Sequence, residues 1–199
     1  DPGVAHALFN HHIKRGETDE AIRIILRQSR IQGGLGEPVR WAGWRRALVR
    51  ERMRDGAAVT AYELASVHQL VEGSAYADLE WLSGYLALTY LDDPETALGH
   101  FTRFREAVET PISLGRAGYW VGRAHEAMGN AEAAGAAYAF GARYQTSFYG
   151  LLSAERGGLP PDPSLAGKTP EIPGWREAPL ARDKVFQAGV LALASGRDN

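Results

Sequence analysis

The chain has 199 residues, 45% of them hydrophobic and 23% charged, with a formal net charge of −2 and no cysteine. That length buries a core without metal or disulfide staples, and the missing cysteine excludes disulfides, zinc–thiolate sites and cysteine nucleophiles. A charge so near zero argues against a protein built mainly to grip nucleic acid, and no apolar run approaches the roughly 20 residues of a membrane span.

Helical signals come in pairs along the chain. Residue usage leans toward helix, with 31 alanines and few β-branched runs of period two. Ala7 to Lys14 is followed by a turn at Gly16 and a second helix from Asp19 to Gln28. Trp41 to Arg54 turns at Asp55-Gly56 into a helix running through Ala65 to Leu70. Tyr76 to Leu91 breaks at Asp92-Asp93-Pro94 and resumes through Phe101 to Val108. Pro111 to Met128 turns at Gly129-Asn130 into Ala131 to Tyr144. Asp93-Pro94 and Thr110-Pro111 each put a capping oxygen before a proline at the first helical position, where a missing N–H costs nothing.

The pairs repeat. Gly16, Gly56, Asp92 and Gly129 are spaced 40, 36 and 37 residues apart, and an alanine follows each by five positions: Ala21, Ala61, Ala97 and Ala134. One helix pair per unit at this period predicts an all-α fold, a right-handed α-superhelix (an α-α solenoid) of helical hairpins, tetratricopeptide-like in a loose sense. A second internal match relates Trp81, Ala97 and Phe101 to Trp120, Ala136 and Phe140 by a shift of 39, two residues off the register of the turns. In that register Trp81 and Trp120 are expected to be buried packing residues.

From Gly157 the pattern stops. Pro160, Pro161, Pro163, Pro170, Pro173 and Pro179 fall within twenty residues, which neither a helix nor a central strand tolerates. The expected organisation is therefore helical hairpins over 1–156, an extended proline-rich connector over 157–181 pinned by Trp175, and a further hairpin started over 182–199. Its helix runs from Arg182 to Ser195 and the chain stops on the turn Gly196-Arg197-Asp198-Asn199, so a fragment of a longer protein is expected.

Several constellations have a functional and a plainer reading. Gly115, Gly118 and Gly122 share one helix face, and each costs about 1 kcal/mol against alanine, so close packing of a neighbouring helix is expected in preference to a ligand groove. Arg46, Arg50 and Arg54 form a stripe, with Arg40, Arg45 and Arg52 nearby. They could bind anions, but pairing with carboxylates of adjacent hairpins is the simpler expectation. His11 and His12 point about 100° apart on a helix and cannot share a metal, His6 is misspaced, and His68, His100 and His125 are scattered. Asp162 to Thr169 (DPSLAGKT) lacks the first glycine of a phosphate loop and the strand before it, and Gly33-Gly34-Leu35-Gly36 lacks a surrounding βα unit. The 24 acidic residues include no pair in a recognisable cleft motif.

One stretch is specific beyond composition. It runs from Pro111-Ile112-Ser113 into Ala117-Gly118-Tyr119-Trp120-Val121-Gly122-Arg123-Ala124, Gly129 and Ala136-Ala137-Tyr138. It ends in Thr146-Ser147-Phe148-Tyr149-Gly150-Leu151-Leu152-Ser153-Ala154-Glu155-Arg156. This resembles the last hairpins of the α-superhelical domain in soluble lytic murein transglycosylases. Trp44-Arg45-Arg46, Asp55-Gly56, Ala61-Tyr62 and Ala77-Asp78-Leu79-Glu80-Trp81-Leu82-Ser83-Gly84 resemble the preceding units.

The resemblance implies a periplasmic protein acting on peptidoglycan, in a family that cleaves the β-1,4 bond between N-acetylmuramic acid and N-acetylglucosamine to a 1,6-anhydro end. The glutamate that does so belongs to a lysozyme-like domain with a Glu-Ser dipeptide and a Gly-Leu-Met-Gln motif, and neither occurs here. The expectation is a non-catalytic superhelical module with no catalytic, cofactor or metal residue of its own. Its partners would be peptidoglycan glycan strands and other cell-wall enzymes, not nucleic acid or an integral membrane segment. Asp1-Pro2 does not open a signal peptide, so export would have removed one already. The alternative expectation is a tetratricopeptide-type protein-interaction scaffold with no enzymatic domain.

Overall fold

The computed structural model describes residues 1–167, 174 and 176–196. Its described residues form ten α-helices and no strand, so the fold is all-α. They divide into two compact units, Asp1–Asp162 and Pro163–Asn199.

The first unit holds four antiparallel helix pairs and a ninth helix. The pairs are α1 (Pro2–Lys14) with α2 (Thr18–Ser29), α3 (Val39–Arg54) with α4 (Ala58–Ser66), α5 (Gly73–Tyr90) with α6 (Pro94–Glu106), and α7 (Pro111–Ala127) with α8 (Ala131–Gly141). Helix α9 (Phe148–Arg156) packs on α7 and α8. The four turn residues named above all adopt left-handed backbone, with φ of 73° at Gly16, 78° at Gly56, 53° at Asp92 and 74° at Gly129. Glycine enters that region freely, and aspartate is among the few other residues that tolerate it. The Asp93 side chain accepts from Thr96 N at 3.0 Å and Thr110 Oγ1 from Ser113 N at 3.4 Å, so both proline-started helices are capped.

The alanines five positions after the turns, Ala21, Ala61, Ala97 and Ala134, are all buried where each second helix meets its first. Tyr138 lies buried in the place Phe101 takes one hairpin earlier, whereas Ala136 is exposed and Phe140 half-buried under the guanidinium of Arg105. The register set by the turns therefore holds in this region, and the shift of 39 does not. Chemical similarity of Phe140 to Phe101 misled the second match, because a tyrosine fills the equivalent slot.

Helix α4 stops at Ser66, short of the expected Leu70. Gln69 turns into left-handed backbone at φ 57°, Leu70 N donates to His68 Nδ1 at 2.9 Å, and Gln69 Nε2 donates to Ser29 O at 2.7 Å. Side-chain hydrogen bonds thus take over where the helix ladder ends.

The first unit reaches Asp162, beyond the expected boundary at 156. Gln145 explains the extension: its amide donates to Pro160 O at 3.2 Å and accepts from Asp162 N at 2.9 Å, fastening the start of the proline-rich segment. In the second unit, prolines open two short 3-10 turns, Pro163–Leu165 and Pro179–Arg182, so the described part of the connector is not uniformly extended. Helix α10 (Lys184–Ala194) is capped by Asp183, which accepts from Val185 N and Phe186 N, and it buries none of its residues. Lys168 and Thr169 of the octapeptide rejected as a phosphate loop, Trp175 expected as a pin, and Arg197–Asn199 expected in a final turn lie outside the described residues.

Candidate functional site

The interior of the hairpins is built on one recurring pair of facing positions. Counted from the turns, Ala5, Arg45, Glu80 and Gly118 occupy the same place on the first helices, with α5 carrying one extra residue before its turn. Facing them on the second helices are Ile24, Leu64, His100 and Ala137. Each hairpin fills this place with different chemistry.

In the second hairpin the filling is Arg45, only 1% exposed, which donates to Leu64 O at 2.7 Å and Ser29 Oγ at 2.6 Å. Burial pulls its guanidinium down to about 10, still charged at neutral pH. This arginine is a structural strut between α3, α4 and α2, and no part of an anion stripe.

In the third hairpin the filling is Glu80, 4% exposed, at the centre of a polar network. His100 Nδ1 lies 2.6 Å from Glu80 Oε2, His68 Nε2 lies 3.3 Å from Oε1, and Arg103 Nε donates to Oε2 at 3.0 Å. Because His68 Nδ1 already accepts from Leu70 N, its Nε2 carries the proton that faces the carboxylate. His100 Nε2 meets the Tyr62 hydroxyl at 3.1 Å. Burial pushes the Glu80 carboxyl up, but the hydrogen bonds from His100, His68 and Arg103 outweigh it and hold it well below the usual carboxylate range. The two histidines that look scattered in sequence are thus joined by one carboxylate. With the carboxylate saturated by its neighbours, the network is suited to locking three elements together and lacks a free acid for proton transfer. No group of three or more His, Asp or Glu among the described residues is placed to hold a metal ion.

In the fourth hairpin the filling is absent. A Cβ on Gly118 would come within 2.5 Å of Gly141 Cα and 3.0 Å of Ala137 O, so α7 and α8 touch backbone to backbone. Gly115 makes the same room for Ser147 and α9, and Gly122 for the ring of Tyr138. The three glycines serve packing, as their shared face predicts.

Beside these interiors lie two further features, one at the surface and one largely enclosed. Arg50 grips Asp78 through both carboxylate oxygens at 3.1 and 2.9 Å, and Arg46 approaches it at 3.7 Å. Arg52 reaches Asp19 at 3.4 Å, so much of the arginine face is paired with neighbouring hairpins. The second feature is an aromatic group. Trp120, 9% exposed, has ring centroids of Trp81, Tyr85, Phe101, Tyr119 and Tyr149 within 6.3 Å. It is buried between hairpins, whereas Trp81 is only half-buried, less than the repeat match predicts. Trp120 offers no ring face for sugar stacking.

A groove of about 380 Å³ opens beside this group, between the start of α5, the end of α6 and the start of α7. Ala77, Phe104 and Val108 are among its apolar lining, and Asp78, Glu109 and Arg116 are its charged lining. The Arg116 guanidinium sits 5.0 Å from the centre of the Trp81 ring and 5.5 Å from that of Tyr149. No carboxylate among the described residues pairs with it, and its buried Nε has no hydrogen-bond partner. Sequence reading missed both Arg116 and the Glu80 network. The signal lay in the turn register, which puts a charged residue at a core position twice.

No helix among the described residues is long and apolar enough to cross a membrane. No protein-family model, curated protein or solved structure matches the chain.

Proposed function

We propose that the chain is the non-catalytic superhelical module of a periplasmic peptidoglycan lytic transglycosylase, its hairpins stacked as a right-handed α-superhelix. The observation that carries the reading is the way its two signature motifs pack. Tyr119 and Trp120, from the Tyr-Trp-x-Gly-Arg-Ala motif, share one aromatic group with Tyr149 of Phe-Tyr-Gly. Gly115, just before the first motif, touches Ser147 and Gly150 of the second. Two motifs 30 residues apart form one joint, and that supports their having been read as parts of a single frame. In such a frame the hairpins hold a long polymer in position while a separate lysozyme-like domain supplies the acid that cleaves it.

The test is co-sedimentation with purified murein sacculi, combined with analysis of the soluble products. The expected outcome is saturable binding without release of anhydromuropeptides. A chain that ignores sacculi but captures a specific protein partner would make it a tetratricopeptide-type interaction scaffold instead. Release of anhydro products that disappears on mutating one acid would make it an enzyme.

A further inference from the structure

We propose that the link between α4 and α5 is a latch, which His68 holds shut while neutral and releases when it takes a second proton. The latch is independent of the murein reading. Residues 67–72 join the second hairpin to the third, and three fastenings hold them. Leu70 N donates to His68 Nδ1 at 2.9 Å, and Gln69 Nε2 donates to Ser29 O, at the end of α2, at 2.7 Å. Val67 and Leu70 pack against the apolar core. Between them Gln69 sits in left-handed backbone at φ 57°, which a residue other than glycine keeps only while its neighbours hold it there.

His68 is committed to one protonation state at both of its nitrogens. A backbone N–H can only donate, so Nδ1 presents its lone pair to Leu70. The proton of the neutral ring is then on Nε2, which lies 3.3 Å from Glu80 Oε1. Both side chains are enclosed, each residue being 4% exposed. A second proton enters at Nδ1 and sets two donors against each other across 2.9 Å. One of them has to leave. The bond from an imidazolium to a carboxylate is stronger than one from a neutral ring, so Glu80 keeps its hold and Leu70 lets go.

The groups around the ring leave that choice in place. Tyr76 of α5 meets it edge-on, with ring centroids 5.5 Å apart. His100 and Arg103 of α6 lie on the other carboxylate oxygen of Glu80, Oε2, and Tyr62 of α4 is one step further, at His100 Nε2. His100 supplies the contrast. Its Nδ1 faces the carboxylate and its Nε2 a hydroxyl that accepts as well as donates, so a second proton on that ring breaks no bond. Only His68 of this pair has a backbone donor where the proton would go. Once Leu70 is released, Gln69 returns to ordinary backbone and its tie to Ser29 goes with it. Acid therefore loosens the joint between the second and third hairpins and leaves the interior of each one closed.

The experiment is amide hydrogen exchange of the full chain, read residue by residue by NMR from about pH 7.5 to about pH 5 and corrected for intrinsic exchange. Histidine ordinarily titrates near 6.5, inside this range. Glu80 stays ionised across it: burial pushes its carboxyl up, but the hydrogen bonds from His100, His68 and Arg103 hold it well below the usual carboxylate range. Protection of the Leu70 amide should fall by about tenfold or more in wild type. Protection of Val49, buried in α3, should not change. His68→Asn puts an amide oxygen where Nδ1 stood, the acceptor of an Asx turn that takes no proton in this range, so its Leu70 protection should be flat. A wild-type Leu70 amide equally protected at both ends overturns the latch. An equal fall in His68→Asn overturns it too, because another group would then be responsible. A matching fall at Val49 would mean global unfolding and no latch. Should His68→Asn not fold, the ring nitrogen resonances of wild-type His68 decide the matter. A proton gained at Nδ1 in step with the loss of Leu70 protection supports the latch, and either change without the other overturns it.

Discussion

The α5–α6 and α7–α8 hairpins each turn on a left-handed residue and bury an alanine five positions later, yet they close their interiors in opposite ways. Glu80 and His100 meet across one through a 2.6 Å hydrogen bond. Gly118 and Ala137, at the same two places, let the backbones of the other touch. One turn further along, the two hairpins agree again: Gly84 lies under the ring of Phe101 and Gly122 under that of Tyr138. A hairpin period therefore specifies where two helices meet and leaves open what lies between them. In the first two hairpins that second pair of places holds Phe9 and Ile25, then Val49 and Ala65, all buried, so the volume between the helices changes from one hairpin to the next.

The largest effects come from emptying the filled places. Glu80→Ala leaves His68, His100 and Arg103 without their shared acceptor, and should cost about 3–5 kcal/mol in urea unfolding. Trp120→Ala opens a cavity between two hairpins and should cost a similar 3–5 kcal/mol, or about that. In a stack of hairpins packed chiefly on their neighbours, that loss should also broaden the unfolding transition. Trp81→Ala, at a half-buried site, should cost less than either. If Trp120→Ala leaves stability unchanged but weakens murein binding, the aromatic group is a ligand platform after all.

Filling the empty place should come next. Gly118→Ala drives a methyl to within 2.5 Å of Gly141 Cα, where backbone cannot step aside as a side chain can. The expected cost is about 1–3 kcal/mol, against a gain in helix propensity of about 1 kcal/mol that would win if the backbones could part. Gly135→Ala, on the open side of α8 with nothing nearby, should be neutral or stabilising. A Gly118→Ala variant as stable as Gly135→Ala would refute the backbone contact.

The carboxylate in the α5–α6 interior also predicts a pH dependence that the glycine interior lacks. Glu80 is held below its ordinary 4.5, so between that value and its folded value the unfolded chain binds more protons. Its contribution is complete above 4.5 and declines as the pH falls further. Unfolding midpoints measured from pH 6 to pH 3 should drop more steeply for wild type than for Glu80→Gln, by at most about 1.4 kcal/mol per pH unit. Parallel curves would mean that the network is not anchored on an ionised Glu80.

How much of this the sequence revealed depends on the kind of residue. Turns were legible because only glycine or its few substitutes take left-handed backbone, and Gly16, Gly56, Asp92 and Gly129 all do. The buried alanines followed from them by counting. The interior chemistry was not legible, because Arg45 reads as one more arginine on an arginine-rich helix and Glu80, His68 and His100 are separated by up to 32 residues. The register of facing positions, available once the turns are aligned, brings Glu80 and His100 together, while His68 joins them from the segment after α4, outside that register. Arg116 was hidden for another reason: its contacts are the rings of Trp81 and Tyr149, on helices far apart in sequence, which spacing alone does not reveal.

The smallest effect isolates a single hydroxyl, because Tyr138 and Phe101 occupy the same slot in the two hairpins. Tyr138 donates to Glu126 Oε2 at 3.0 Å, and Arg156 Nε donates to that same oxygen at 2.8 Å. Tyr138→Phe converts α8 to the arrangement of α6, keeping the ring over Gly122 and losing one hydrogen bond. Glu126 retains Arg156, so the cost near neutral pH should be about 1 kcal/mol. Burial, then the hydrogen bond to Glu126, push the Tyr138 phenol up to about 12 from an ordinary 10.0. Between those values the folded chain binds more protons than the unfolded one, so stability should fall as the pH rises. Denaturant midpoints from pH 9 to pH 11.5 should show that decline in wild type and a shallower one in Tyr138→Phe. Equal slopes would mean that the Tyr138 hydroxyl titrates as freely folded as unfolded, and that the two aromatic slots differ in nothing but an exposed oxygen.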